Sequence, residues 1–241
     1  MKKILGEMRK AIQDFEMIET GDRIAVGLSG GKDSLTLLEG MKQLQKFYPK
    51  SFELHAITLT MGIGEFDTGR LVEFCEEIGV PYTIIPTEIG KIIFEARKEK
   101  NPCSLCANMR RGALHTSALE LGCNKVALGH HMNDGIETLL MSMLYEGRLN
   151  TFSPVTFLDR KKITLIRPMI YIDERDIIGH ARKYSLPVVP SPCPACGHTK
   201  RQYVKELIRA LQKDVPDVKD KLLGCITNTG QVNLWQKPRN N

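Results

Sequence analysis

Residues 24–34 read Ile24-Ala25-Val26-Gly27-Leu28-Ser29-Gly30-Gly31-Lys32-Asp33-Ser34, and they decide the fold. An apolar run empties into a glycine turn, and the turn opens directly onto the helical pattern Leu35-Thr36-Leu37-Leu38. That is a buried strand, a tight loop and a helix start. Glycine tolerates positive φ and carries no side chain, so backbone N–H groups at Gly30 and Gly31 can converge on an anion at the positive end of the helix. Lys32 adds a mobile charge, and Ser29 and Ser34 add hydroxyl donors. A Walker-type loop is excluded, because Val26 stands where its first glycine belongs and Asp33 follows the lysine. The dinucleotide pattern Gly-x-Gly-x-x-Gly does not fit either.

Outward from this turn the chain alternates strand and helix patterns. Strands are expected at 23–28, 53–60, 82–86 and 125–129, with a further short one at 164–168. Helices are expected at 2–18, 33–47, 67–78, 104–121, 133–145, 173–184, 199–213 and 217–226. Such alternation predicts an α/β fold, an open and mostly parallel sheet with helices on both faces. Its ligands bind beyond the carboxyl ends of the strands, where Ser29 to Ser34 fall. Residues 146–162 read as a long loop over the site. One domain is expected over 1–241, with a leading helix at 1–20, a nucleotide-binding core at 21–170 and a helical extension at 171–241.

The chain has 241 residues, 42% of them hydrophobic, and a net charge of +6, which suits a polyanionic partner without requiring one. It shows neither a membrane-spanning run nor a signal-peptide pattern, so a cytoplasmic protein with no membrane partner is expected. In that reducing compartment seven cysteines argue against a disulfide framework. Cys103 and Cys106 form one Cys-x-x-Cys pair, and Cys193 and Cys196 form another. Cys75, Cys123 and Cys225 stand alone and read as small core residues. Zinc ribbons space their two pairs by about 15–20 residues, several times less than the gap here. Spacing leaves a zinc site and an iron–sulfur cluster both open.

Gly129-His130-His131-Met132-Asn133-Asp134 closes the fourth strand and opens the next helix. Asp134 can therefore hold Mg²⁺ against ATP or orient an activated base, although an early-helix acid is also favoured by the helix dipole alone. Arg110 and Arg111 follow the first cysteine pair and can stabilise thiolate or phosphate.

The loop resembles that of the ATP-pyrophosphatase group. Together with residues 102–112, 127–134, Ile166-Arg167-Pro168 and residues 192–197, in that order, it is similar over nearly the whole chain to the TtcA family of tRNA 2-thiocytidine synthetases. The resemblance implies ATP and Mg²⁺ at Ser29, Gly30, Gly31, Lys32, Asp33, Ser34 and Gly129. It also implies a [4Fe-4S] cluster on Cys103, Cys106 and one of the second pair, Cys196 in preference to Cys193. Asp134 then serves substrate activation and Arg110 anion stabilisation. The implied partners are the anticodon region of tRNA and a sulfur donor such as a cysteine desulfurase or free sulfide, with a homodimer as one assembly. The implied reaction adenylates O2 of a cytidine and replaces that oxygen with sulfur. Two other readings stay open: the same chemistry on another acceptor, and a zinc-stabilised nucleotide- or RNA-binding protein without catalysis. The glycine-rich segment 61–67 departs from the family pattern. Arg110, Arg111, Arg148, Lys161, Lys162, Lys200 and Arg201 are candidates for a basic RNA surface.

Overall fold

A computed structural model of the protein describes residues 1–97, 102–190, 192–193, 200–228, 230 and 234–235. The helix α1 (Lys2–Asp14) leads into β1 (Asp22–Gly27), α2 (Lys32–Leu44), β2 (Phe52–Leu59), α3 (Gly69–Glu77) and β3 (Tyr82–Ile85). The short α4 (Ile89–Lys91) then runs into a π-helical turn at Ile92–Ala96. There follow α5 (Pro102–Glu120), β4 (Lys125–Ala127), α6 (Met132–Glu146), β5 (Val155–Leu158), β6 (Ile163–Ile166), α7 (Glu174–Lys183), α8 (Lys200–Asp214) and α9 (Val218–Thr227).

Six strands form one sheet in the order β3-β2-β1-β4-β6-β5. All neighbours are parallel except β5 and β6, which pair antiparallel from Val155 opposite Ile166 to Leu158 opposite Ile163. This hairpin corrects the expectation of a continuous loop over 146–162. Strand order reverses between β1 and β4, so the crevice beyond their carboxyl ends is the topological switch point where such sheets take ligands.

Contacts divide the chain into two compact units. The first comprises Met1–Met132 and Ser153–His198, and it holds the whole sheet. Its larger core packs α1, α2, α3 and α7 on one face through Met8, Ile12, Leu35, Leu38, Leu71 and Ile177, all buried. A smaller core seats α5 on the other face through Leu114 and Ala118. Residues along β1 explain the two layers: Ile24 and Val26 enter the larger core, and Ala25 enters the smaller. At the amino end of the sheet Lys125 Nζ lies 2.7 Å from Asp22 Oδ2, with side chains 12% and 5% exposed. Asp173 caps α7, accepting from Arg175 N at 2.8 Å, as its position before an acidic first turn predicts. The second unit comprises Asn133–Phe152 and Thr199–Asn241, and it groups most of α6 with α8 and α9.

Candidate nucleotide and thiol site

The loop after β1 is internally braced. Leu28 N donates to Ile57 O at 2.8 Å, and Thr58 Oγ1 donates to Leu28 O at 2.6 Å, which pins the strand end. Ser29 N and Oγ each donate to Ser34 Oγ at 3.1 Å, and Ser34 Oγ in turn donates to Gly31 O at 2.9 Å. Gly31 precedes α2 without a side-chain cap, so first-turn N–H groups keep their capacity for an anion. Gly30 adopts φ +78°, and a Cβ there would meet the Phe66 ring at 3.0 Å and Val189 Cβ at 3.1 Å. Gly129, at the end of β4, backs onto the α2 start: its Cβ would lie 3.2 Å from Asp33 C and 3.3 Å from Ser34 N. A side chain at this position would crowd the first turn of α2.

Lys32 Nζ sits 2.9 Å from Asp33 Oδ1 and 3.1 Å from Glu174 Oε1 at the start of α7. Burial disfavours its charge, but the two carboxylates outweigh that and hold the ammonium above the ordinary lysine range. The buried His131 places Nε2 3.8 Å from Asp33 Oδ1. His130 instead accepts at Nδ1 from Arg167 Nε at 3.3 Å, so the adjacent histidines have different partners. Arg167, 8% exposed, also donates through Nη1 to Ser153 O at 2.6 Å. Burial, reinforced by the charge of Arg111, brings its guanidinium down to about 10. Neither Arg167 nor Glu174 was singled out from sequence as a site residue. Arg167 could have been found from Ile166-Arg167-Pro168, whereas Glu174 looks like any first-turn acid.

Cys103 and Cys106 occupy the first turn of α5, three residues apart and hence on one face. Burial pushes the Cys106 thiol up, neighbouring Cys193 and Cys103 push it further, and Arg110 opposes both by its charge and by donating to the sulfur. Cys193 and Cys103 thus both act on the Cys106 thiol, and thiolate sulfur is the donor type an iron–sulfur group takes, but among the described residues no three His, Cys, Asp or Glu side chains are gathered closely enough to hold a metal ion. Cys196 lies outside the described residues.

One segment leads from the glycine loop to Cys193. Val189 N donates to Gly30 O at 2.9 Å, and four residues later the same stretch reaches Cys193. Four extended residues span at most about 14 Å. Ser29 to Ser34, Gly129, Cys103, Cys106, Arg110 and Cys193 are thus all held within the first unit.

Asp134 belongs to the second unit, in the first turn of α6. There Arg201 Nη1 lies 3.5 Å from Asp134 Oδ1 and 2.9 Å from Glu137 Oε2, and Lys205 Nζ lies 3.8 Å from Glu137 Oε1. Burial raises the Glu137 carboxyl, with Arg201 and Lys205 opposing.

Known proteins resemble this arrangement closely. The PP-loop domain family ATP_bind_3 matches residues 2–211. A tRNA-cytidine(32) 2-sulfurtransferase of Geobacter sulfurreducens is 41% identical over 230 residues, 94% of this chain and 90% of that protein. Its counterpart in Geobacter metallireducens is 40% identical over 239 residues, 98% of this chain and 93% of that one. Among solved structures, the U34-tRNA thiolase NcsA from Methanococcus maripaludis with its [4Fe-4S] cluster matches 96% of this chain and 79% of its own, at 27% identity and a TM-score of 0.77. An NH₃-dependent NAD synthetase from Campylobacter jejuni shares the fold at a TM-score of 0.50 and 16% identity.

Proposed function

The chain belongs to the PP-loop family, and from that membership we propose how its residues divide the work of an ATP-dependent tRNA sulfurtransferase. The observation that carries the reading is the bond from Val189 N to Gly30 O, which holds the chain four residues before Cys193 against the anion-binding loop.

ATP is bound by Ser29 to Ser34, with the backbone of Gly30 and Gly31 and the uncapped start of α2 facing its phosphates. Lys32 exchanges part of its pairing with Asp33 and Glu174 for phosphate oxygen. Asp33, in the loop itself, is a carboxylate available to Mg²⁺, and Asp134 serves substrate activation by resemblance. Cytidine O2 attacks the α-phosphorus of ATP and pyrophosphate leaves; sulfur then adds at C2 and AMP leaves. Adenylation is needed because the C2 carbonyl oxygen is by itself a poor leaving group. Cys103, Cys106 and one cysteine of residues 192–197 would hold a [4Fe-4S] cluster, which when bound would supply iron to take up sulfide. Cys196 is the third ligand by resemblance, and Cys193, which adds to the upward push on the Cys106 thiol, is the alternative. Arg110 steadies negative charge beside Cys106.

Cytidine 32 in the anticodon region is the acceptor, on the strength of the relatives' names. Sulfide, free or from a cysteine desulfurase, is the sulfur source, and the cytoplasm, where tRNA and ATP are both present, is the site of action. Among the described residues no helix is long and apolar enough to cross a membrane. The exposed Met143, Leu144 and Leu149 suit contact with a second copy, which sedimentation of the full chain would detect as a homodimer. The deciding experiment measures thionucleosides in tRNA from a deletion strain. Loss of 2-thiocytidine is expected. Unchanged 2-thiocytidine with loss of another thionucleoside would move the chemistry to a different base, and no change at all would remove it from tRNA.

A further inference from the structure

One region of the first unit carries exposed positive charge in no ion pair among the described residues. Arg111 on α5 and Arg160, Lys161 and Lys162 at the β5–β6 turn are exposed, and among the described residues none of them pairs with a carboxylate. Some surface lysines elsewhere are paired: Lys3 with Asp176, Lys50 with Glu19 and Lys91 with Glu88. Asp159 in the same turn and Glu120 at the end of α5 are the acids that sequence places near the patch.

The two elements are joined. Lys161 Nζ donates to Thr116 Oγ1 at 3.1 Å, which lays the hairpin tip on the helix. Arg111 folds back along its own helix, Nε donating to Ala107 O at 3.2 Å and Nη2 to Asn108 Oδ1, so its guanidinium is ordered before any ligand arrives. The charge is felt inward as well: burial, then Arg111 and Lys161, push the His115 imidazole down, and Arg167 responds to Arg111 in the same direction. From Ser104 to Thr116 the helix rises about 18 Å, room for three phosphates at about 6 Å spacing. That stretch starts beside Cys103 and ends where Lys161 is anchored.

We propose that the exposed face of α5, completed by Lys161 from the β5–β6 turn, is a phosphate track that carries the sugar–phosphate backbone of the tRNA substrate toward the cysteine end of the helix. The proposal rests on the tRNA-thiolation reading. RNA is favoured over an acidic protein because Arg111 is held along α5 and Lys161 is anchored at Thr116, five residues further on and about 7.5 Å along the helix axis. A repeating phosphate chain matches that geometry.

The test uses full-length, anaerobically purified protein with its cluster and measures binding of unmodified tRNA across a salt series. An R111Q/K161Q variant should bind at least about tenfold more weakly near 0.1 M salt, and its log–log salt slope should be smaller by about 1.4–1.8, two contacts at roughly 0.7–0.9 each. ATP binding and iron content should match the parent, which shows the variant is folded. R111K should recover most of the affinity, and K50Q, altering a cation already paired with Glu19, should change neither quantity. Parental affinity and slope in R111Q/K161Q, with tRNA bound normally by the parent, overturn this track alone. Failure of the parent to bind tRNA overturns the thiolation reading and the track together.

Discussion

Gly30 shows how one residue sets the chemistry. Its φ of +78° is a left-handed conformation, and the Phe66 ring and Val189 close the space where a side chain would stand. Gly30→Ala should cost about 1–2 kcal/mol from backbone strain alone, and relief of that strain would displace the N–H groups that face phosphate. Weaker ATP binding by at least about tenfold, read by calorimetry, is the expected outcome; unchanged affinity would count against the loop's role. Cys193 and Cys196 are separable in the same way. Iron and sulfide content of anaerobically purified Cys193→Ala and Cys196→Ala should fall in only one of the two, and that one holds the third ligand. The motif residues from Ser29 to Ser34 were legible because each is of a type that phosphate chemistry requires. Glu174 was not, since it reads as an ordinary first-turn acid and its place in the site comes from a contact with Lys32 across a long sequence separation.

Among elements, β1 and β4 do most of the positioning, and their amino ends are clamped by Asp22 and Lys125. Burial alone would raise the Asp22 carboxyl, but Lys125, the Glu19 amide and Asn124 outweigh it and hold the group below its ordinary value. A carboxylate depressed in the folded state stabilises above its unfolded value, about 3.9, and that contribution is lost as pH falls through the folded value. Asp22→Asn should cost about 3 kcal/mol at neutral pH, by leaving Lys125 buried without its partner, and should flatten the acid limb of urea-unfolding stability between about pH 5 and 2. Periodicity located the parallel strands to within a residue or two. The hairpin was invisible because Val155 to Leu158 is short, follows Pro154 and forms a half-exposed edge, so no long apolar run announces it.

At the scale of the whole chain, fold class and reaction type were readable from the order of motifs, whereas the grouping of α6 with α8 and α9 was not. Sequence neighbours predict local elements, but which helices share a core depends on contacts made across long separations. Within the second unit, Arg201 bridges Asp134 and the buried Glu137. Arg201→Ala should therefore lower turnover of tRNA thiolation by at least about tenfold while leaving ATP binding by the first unit intact, measured by thionucleoside formation and by calorimetry. The bond from Val189 to Gly30 has a thermodynamic corollary. If nucleotide orders that stretch, the free-energy coupling is reciprocal: ATP should slow iron loss to a chelator, and iron loading should tighten ATP by the same factor by which ATP tightens iron. The protein would then keep its oxygen-sensitive half best protected when its fuel is abundant.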